Sequence, residues 1–321
     1  MKILVLGAGV IGTTYAWQLS QAGADVTLWV RPERKAAIER DGIRLDCIDL
    51  RGRRTLIDTI YRPSVVSDLL SGDVYDLILV SVSVDKLEPA LELIAEKAGS
   101  ADILFLQNTW GGPETFDKYL HKDQYFFGYP FKAGGCRDDH CIRSVIFGNP
   151  LTATMLGEKD GQVTLRVRRA ANWLAKAGMS PTISCRIIPY LWTHYAWAAA
   201  TIGAYLKAGS FEAFVNSPKS IQESYLAMRE CFSVCRKRGA DVRVVFPNNL
   251  FALLPLPLLV PITQRIYNTP EMKRMFDGHV QHSPGEMKRM YFDMLETGRS
   301  FGIEMPIYQG FQSCIDSSEI L

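Results

Sequence analysis

The feature that most constrains this chain is a glycine-rich turn that starts at residue 7. The apolar run Lys2–Leu6 precedes it, and residues 13–22 are predicted to form a helix. GxGxxG between a strand and a helix is typical of dinucleotide sites, because the glycines permit a tight turn and close backbone approach to a pyrophosphate. A plain glycine turn is the alternative. The predicted cofactor contacts of this turn are Gly7, Gly9, Val10, Ile11 and Gly12.

The end of the second predicted strand, residues 25–30, indicates which dinucleotide is bound. NAD-binding units usually carry an acidic residue there for the ribose 2′-hydroxyl, whereas this chain has Arg31, followed by Arg34 and Lys35. An arginine can hold a 2′-phosphate through two charge-assisted hydrogen bonds. We therefore expect NADP(H) as the cofactor, bound in part by Arg31. The alternative is a solvated basic turn that opens a helix, which Glu33 leaves open.

The order of the predicted elements favours an α/β fold. Strands and helices alternate in the first half, whereas long helical patterns replace the strands from residue 188 onward. Residues 43–60 alternate apolar and polar positions, which is the pattern of an antiparallel strand pair. We predict a Rossmann-type, doubly wound parallel sheet in residues 1–180 and an all-helical C-terminal domain in residues 181–321. The remaining predicted strands lie at residues 76–82, 102–106, 125–129, 144–147 and 152–156, with a helix at 84–97.

Charge and cysteine content restrict the class of protein and its surroundings. The 321 residues carry a formal net charge of +2, which indicates neither a nucleic-acid partner nor a membrane partner. Seven scattered cysteines without metal-site spacing are typical of reduced thiols, so we expect a cytoplasmic protein. The first apolar run is short and already assigned to a strand, so we expect no signal peptide. Residues 250–262 form the longest apolar stretch, but three prolines interrupt it. We interpret that stretch either as core or as the contact between the two subunits of a homodimer.

Polar residues at two predicted strand ends are candidates for ligand binding. Asn108 follows the strand at 102–106, where ligands bind in sheets of this kind, so its amide could touch the nicotinamide ribose or the substrate. Ser81 and Ser83 lie at the end of the strand at 76–82 and could bond cofactor oxygens. A turn-forming amide and plain strand-end hydroxyls are the alternatives.

Two residues of the helical half are candidates for the chemistry. His194 could protonate the alkoxide that hydride transfer to a carbonyl produces, although a histidine among aromatic residues is more often packed in a core. Glu286 opens a predicted helix, where the positive end of the helix dipole stabilises a carboxylate. In a cleft, the same carboxylate could instead hold a substrate hydroxyl or orient the acid. His279 and His282 precede it, but Pro284 and Gly285 interrupt a common helix face, so we predict no metal site. We expect Cys231 and Cys235 to be packed thiols.

Several of these segments together resemble the ketopantoate reductases (2-dehydropantoate 2-reductases) over nearly the whole chain. The resemblance implies a cleft between the Rossmann and helical domains, NADPH as cofactor, and reduction of a 2-keto acid to a 2-hydroxy acid. The family's cofactor arginine, nicotinamide-side asparagine and substrate-binding glutamate would correspond to Arg31, Asn108 and Glu286. The similar segments are KILVLGAGVIG, Arg31, Gln107-Asn108, LGEKDG at 156–161, AGMSPTIS at 178–184 followed by Ile188 and Trp192, Glu286 and GRSFGIEMP at 298–306.

The departures from the family lie where its substrate would be bound. His194 stands where the family has its catalytic lysine, and Ala198 and Ile202 replace two asparagines. Ser83 replaces a lysine that lies on the cofactor side in the family. Arg274 stands where the family has a serine near the substrate carboxylate. We therefore expect a reductase of a bulkier or more apolar 2-keto acid or related carbonyl compound. The alternatives are ketopantoate itself, an opine- or imine-type reductase, and a non-catalytic NADP-binding sensor.

Overall fold

The chain divides into two compact units. The structure, a computed structural model, describes residues 1–69, 74–138, 141–282 and 284–317, with only the backbone of residues 277, 279–282 and 284. The first unit comprises Met1–Gln107 and Gly111–Ile187, and the second comprises Asn108–Trp110 and the chain from Ile188 onward. The first unit extends past residue 180, the predicted boundary, because a strand at Pro181–Ile183 pairs within its sheet.

A mostly parallel sheet forms the centre of the first unit. The strands of this unit are β1 (Lys2–Leu6), β2 (Asp25–Trp29), β3 (Ile43–Asp49), β4 (Thr55–Tyr61), β5 (Ser64–Val66), β6 (Leu77–Val80), β7 (Asp102–Leu106), β8 (Tyr125–Pro130), β9 (Ala133–Arg137), β10 (Cys141–Ile146), β11 (Thr154–Gly157) and β12 (Pro181–Ile183). Among the described residues, the main sheet has the order β12-β11-β8-β7-β6-β1-β2-β5. Its pairs are parallel except β8 with β11. Strand β6 is buried along its whole length, as expected for a strand covered on both faces. The predicted parallel sheet is confirmed.

A second, smaller sheet accompanies the first. Strands β3 and β4 pair antiparallel, as the alternation at residues 43–60 predicts. Within the described residues the order is β4-β3-β10-β9. The sequence analysis missed β9, because Gly134 and Gly135 lower the strand propensity of this segment. Gly135 is required there, since it has φ +138° and a Cβ would lie 2.1 Å from the Arg143 carbonyl oxygen of β10.

Helices connect the strands of the first unit. They are α1 (Val10–Gln21), α2 (Pro32–Asp41), α3 (Leu87–Lys97), α4 (Pro113–Phe116) and α5 (Leu165–Lys176). The segment predicted as a helix from residue 84 begins with the 3-10 turn Val84–Lys86 before α3. Helix α2 starts directly after β2, with Arg31 as N-cap and Pro32 in the first turn, where proline is favourable. Helix α1 packs against β2 of the main sheet and against β9 and β10 of the smaller sheet.

The second unit is helical, as predicted. Its helices are α6 (Ile187–Ala208), α7 (Phe211–Asn216), α8 (Pro218–Lys237), α9 (Asn249–Leu253), α10 (Leu256–Tyr267), α11 (Pro270–His282), α12 (Pro284–Ser300), α13 (Pro306–Gln309) and α14 (Gln312–Ser317), with a 3-10 turn at Val242–Val244. Helix α6 is apolar on nearly every side, which is typical of a central buried helix. None of the described helices has the length and apolar content that crossing a membrane requires.

The apolar stretch at residues 250–262 is split between α9 and α10 and is only partly core. Leu259 and Val260 are buried, whereas Leu253, Leu258 and Ile262 are 57%, 48% and 45% exposed. The prolines explain the division, since Pro255 is the N-cap of α10 and cannot continue α9.

Candidate functional site

The predicted cofactor turn has a shape that requires glycine at two positions. Gly7 has φ +115°, and a Cβ built there would lie 2.8 Å from the Ser81 carbonyl oxygen. A Cβ on Gly12 would lie 1.8 Å from the Gly7 carbonyl oxygen. At Gly9, by contrast, a Cβ would meet no described atom within 4 Å. The turn therefore brings α1 close to β1 and leaves its Gly9 side open, where a helix N-terminus can receive an anion.

Val10 and Ile11 occupy the first turn of α1. Their side chains pack against the hydrophobic core of the first unit. Any contribution of these two residues to cofactor binding therefore comes from their backbone, whose N–H groups in the first helical turn have no intrahelical acceptor.

The serines after β6 differ in their roles. The Ser81 hydroxyl donates to the Gly7 carbonyl oxygen at 3.2 Å, so it helps to hold the glycine turn. Ser83 is half-buried and is the N-cap residue of the 3-10 turn Val84–Lys86. Between β6 and β7, the Gln107 side chain donates to the Val82 carbonyl oxygen at 2.6 Å. These contacts fix the carboxyl ends of three neighbouring strands in the centre of the sheet.

Three arginines gather beside the glycine turn. Arg31 lies at the start of α2, with its side chain 57% exposed and 3.9 Å from Glu33. Arg34, one turn later, donates from Nη1 to the Ala8 carbonyl oxygen at 3.3 Å. Burial lowers the pKa of Arg34, and the positive charges of Arg137 and Arg31 lower it further. A half-buried guanidinium surrounded by like charges marks a position that an anion would stabilise.

The sequence shows Arg31, Arg34 and Lys35 together after the second strand, but it assigns only Arg31 to the cofactor. A role for Arg34 was detectable from the same pattern, because positions three apart on a helix lie on one side. Arg137 was not, because it belongs to β9, which the sequence analysis did not predict, and approaches Arg34 only through the tertiary fold.

Asn108 belongs to the second unit although it follows β7 directly. Its Nδ2 amine donates to the Met290 sulfur on α12 at 3.8 Å. Its Oδ1 atom is buried and has no hydrogen-bond partner in the part of the chain that the structure describes. An unsatisfied buried acceptor costs about 1–3 kcal/mol. The side-chain amide oxygen of Asn108 is therefore an acceptor to which a bound molecule could donate.

Glu286 lies on the same side of α12 as Met290, one helical turn earlier. Its carboxylate contributes to raising the pKa of the Tyr195 hydroxyl, although burial and Asp293 raise it more. The Tyr195 hydroxyl donates to Asp293 at 2.8 Å. Within the second unit, the structure thus brings Glu286 and Asn108 to neighbouring turns of one helix face. Tyr195 and Asp293 complete this polar group, and the sequence analysis did not single them out.

His194 has a different environment. It is 1% exposed on α6. Its ring packs edge-on against Trp197, with centroids 4.6 Å apart, and lies 5.9 Å from the Tyr190 ring. This is the setting of a packed histidine, the alternative that the sequence left open. Ala198 and Ile202 follow His194 at one-turn intervals along the helix, and Ile202 is 8% exposed.

The remaining sequence candidates are an arginine, two histidines and two cysteines of the second unit. Arg274 is half-buried on α11. The side chains of His279 and His282 lie outside the described residues. Among the residues that are described, no group of three or more His, Cys, Asp or Glu side chains could hold a metal ion. Burial raises the pKa of the Cys231 thiol and raises that of Cys235 to about 12, so both are packed, unreactive thiols.

Comparison with known proteins relates these features to one family. Residues 3–142 match the model of the ketopantoate reductase family PanE/ApbA. A 2-dehydropantoate 2-reductase of Bacillus subtilis is 32% identical over 111 residues, which are 35% of this chain and 34% of the relative. The aligned part therefore spans about a third of that enzyme's length. The match confirms the resemblance predicted from the sequence for the first unit.

Solved structures extend the likeness to the whole fold. A 2-dehydropantoate 2-reductase of Geobacter metallireducens superposes with a TM-score of 0.76 at 18% identity, covering 99% of this chain and 100% of that one. A D-mandelate dehydrogenase solved with NADH and anilino(oxo)acetate gives a TM-score of 0.75 at 16% identity, with 99% and 97% covered. At these identities the likeness establishes the fold.

Proposed function

We propose that this chain, whose residues 3–142 match the model of the ketopantoate reductase family, is an NADPH-dependent reductase of a 2-keto acid or a related carbonyl compound. The observation that carries the proposal is the glycine turn of Gly7–Gly12 with Arg31, Arg34 and Arg137 beside it. The turn fits a pyrophosphate, and the arginines fit a further phosphate. A 2′-phosphorylated dinucleotide would supply both the pyrophosphate and the further phosphate.

The arginine set supports NADPH over NADH. Arg34 is held against the glycine turn by its bond to the Ala8 carbonyl oxygen, so its guanidinium would be available to a phosphate of a dinucleotide bound at that turn. A 2′-phosphate there would neutralise the mutual repulsion of the arginines, whereas a 2′-hydroxyl would not. D-mandelate dehydrogenase, a structural neighbour, was solved with NADH, so NADH is the comparison that tests this part of the proposal.

Asn108 and Glu286 are proposed to hold the reacting molecules. The unsatisfied Asn108 oxygen would accept a hydrogen bond from a ribose hydroxyl or from the substrate. Glu286, one turn away from the Met290 contact of Asn108, would accept from the hydroxyl of the 2-hydroxy acid product or orient the proton donor. Because one product hydroxyl donates a single proton, the Asn108 oxygen would then accept from a ribose hydroxyl.

His194 is proposed as the proton donor. When bound, NADPH supplies a hydride for the carbonyl carbon, and the carbonyl oxygen then needs a proton. His194 stands where the resemblance places the family's lysine, and an imidazolium can donate a proton to a developing alkoxide. Because the ring is 1% exposed, it can donate only to a substrate atom brought into direct contact with it. This enclosure would also protect the proton transfer from bulk water.

The proposed substrate is a 2-keto acid with a bulky, apolar side chain. Ala198 and Ile202 leave apolar surface where the family carries two amides, and Trp197 lies beside His194. Anilino(oxo)acetate, the compound bound in the D-mandelate dehydrogenase structure, is an aromatic oxoacetate. The first compounds to test are therefore phenylglyoxylate, 2-ketoisocaproate and ketopantoate.

A steady-state assay of NADPH oxidation over this set of keto acids tests the proposal. Turnover that is faster with phenylglyoxylate than with ketopantoate would support it. Each reaction is repeated with an added primary amine, because dependence on the amine would replace the proposal with an opine- or imine-type reductase.

One observation favours a second candidate, an NADP-binding protein without catalysis. The packed environment of His194, between Tyr190 and Trp197, is what a histidine without a chemical role would have. Tight NADPH binding combined with no oxidation by any keto acid, with or without amine, would establish this candidate.

The proposal extends to a cytoplasmic homodimer. The seven cysteines are all free thiols, which suits a reducing compartment. Leu258, Ile262 and Ile266 recur at one-turn intervals on α10 and are 48%, 45% and 48% exposed. Such a stripe is typical of a contact surface. Light scattering of the full chain would give the dimer mass if the stripe is covered, and a monomer mass would contradict this part.

A further inference from the structure

Trp110 ends a three-residue segment that leaves the first unit after β7. The segment Asn108–Trp110 belongs to the second unit, whereas Gln107 before it and Gly111 after it belong to the first. The Trp110 side chain is 9% exposed. Its indole Nε1–H donates to the Thr297 hydroxyl on α12 at 2.9 Å. Trp110 therefore connects a loop next to the cofactor sheet to the helix that carries Glu286.

Arg238 fixes the other side of the same indole. Its guanidinium lies 4.4 Å from the Trp110 ring centroid and 3.7 Å from that of Trp192. It also donates to the Trp110 carbonyl oxygen. Stacking of an arginine on two indoles is favourable when the groups are partly buried, and here a backbone hydrogen bond adds to it. Both the backbone and the side chain of Trp110 are thus restrained by one residue.

The Tyr195 ring completes the enclosure. It stacks on Trp110 with ring centroids 5.5 Å apart and an interplanar angle of 26°. Its hydroxyl reaches Asp293 on α12. The Thr297 hydroxyl, which accepts from Trp110, itself donates to the Asp293 carbonyl oxygen at 2.6 Å. The indole is therefore held by α6, α8 and α12 together.

Asn108 and Trp110 lie along one face of α12. Asn108 contacts Met290, Trp110 contacts Thr297, and Tyr195 contacts Asp293 between them. Positions 290, 293 and 297 are spaced three and four apart, so they share a helix face. The amide of Asn108 is therefore two residues from an anchor that is bound to the same helix.

We infer that Trp110, clamped by Arg238 and Thr297, is a positioning residue that holds the Asn108 amide at the Met290 turn of α12. The kinetic consequence rests on the proposed function, because it assumes that Asn108 orients a reacting molecule. The structural consequence does not, because the order of the segment can be measured without any turnover. Without the anchor, the Asn108 amide would keep its weak contact with the Met290 sulfur, which alone would restrain it less.

Two substitutions remove the same hydrogen bond from its opposite ends. W110F keeps the ring for stacking but removes the indole N–H, and T297V removes the acceptor. Each should lower kcat with the best keto acid about five- to tenfold, the effect of one hydrogen bond, while the NADPH dissociation constant stays within twofold. The double variant should lose no more than either single variant, since both lack one bond.

Matched controls separate positioning from simple loss of stability. T297S keeps the hydroxyl and should retain wild-type kcat. W173F changes a half-buried tryptophan of α5 in the first unit and should leave kcat unchanged. Loss of kcat in W173F equal to that in W110F, or additive losses in the double variant, would overturn the inference.

Hydrogen exchange keeps the inference testable if no keto acid is turned over. In W110F and T297V, a peptide covering residues 107–112 should exchange its backbone amides at least fivefold faster than in the wild type, whereas T297S and W173F should not change it. Unchanged exchange in both variants would refute the anchor. Absence of turnover in the wild type, with the expected exchange, would refute only the proposed function.

Discussion

The glycine turn after β1 and the Asn108–Trp110 segment after β7 both follow a central strand of the same sheet, but they are built differently. The glycine turn is made of backbone, and its shape depends on contacts of Gly7 and Gly12 with their close neighbours and with Ser81. The Asn108 segment is held by side chains of three distant helices.

We therefore expect the two regions to respond differently to substitution. The glycine turn should tolerate few changes, because a side chain at Gly7 or Gly12 would meet nearby backbone atoms. The Asn108 segment depends on several side chains, so a change in one of them should disturb it only in part. The comparison teaches that the cofactor half of the proposed function rests on backbone shape and the substrate half on side chains.

The largest expected effect concerns the substrate half of the proposed function, at the proton donor. H194Q keeps the side-chain volume but removes the acid, and should lower kcat about 10²- to 10⁴-fold, the usual contribution of general acid catalysis. The NADPH dissociation constant should not change. H121Q alters a histidine whose side chain is 78% exposed and serves as the matched control. If H194Q turns over as fast as the wild type, His194 is a packed residue and the proton has another source.

The next largest effect concerns the cofactor half of the proposed function, at the glycine turn. G12A places a Cβ 1.8 Å from the Gly7 carbonyl oxygen, so the turn must open, at a cost of about 1–3 kcal/mol. NADPH affinity, measured by fluorescence titration, should fall roughly 30-fold if most of that cost is borne by the binding turn.

G9A is the control for this change, because a Cβ there meets no described atom within 4 Å. Its melting temperature should equal that of the wild type, while NADPH binding weakens through the methyl group's approach to the pyrophosphate. Wild-type NADPH affinity in both variants would mean that the turn does not bind the cofactor.

The smallest expected effect is a change in substrate preference at position 198. A198N restores one amide at a half-buried position of α6. It should raise the ratio of kcat/KM for ketopantoate over phenylglyoxylate about fivefold, the effect of one neutral hydrogen bond of about 1 kcal/mol. I202N places an amide at a buried position and should mainly lower the melting temperature. An unchanged ratio in A198N would remove this position from substrate recognition.

The contrast between the two regions also sets what the sequence could predict. Period-two and apolar patterns predicted β1, β2, β3, β4 and the helical second half, because these elements depend on local composition and burial. Strand β9 was not predicted, because its glycines make sense only where β10 approaches them closely. Arg137 lies on β9, so its place beside Arg34 was not predicted either.

At the site, the sequence placed Asn108 and Glu286 but not the residues that connect them. Trp110, Tyr195, Arg238 and Asp293 come from four separate segments, and no spacing along the chain relates them. Their roles arise from two hydrogen bonds, one ring stack and one cation–π contact, which only the folded second unit brings together.

The central claim, a cofactor site that prefers NADPH to NADH, is tested most directly by the dissociation constants of the two cofactors. We predict that the wild type binds NADPH at least tenfold more tightly, since charge-assisted hydrogen bonds contribute about 1.5–3 kcal/mol each. R34M should reduce this preference about tenfold by weakening NADPH alone, whereas K35M, which breaks the neighbouring pair with Glu39, should leave it intact. Equal affinity of the wild type for the two cofactors would contradict the account.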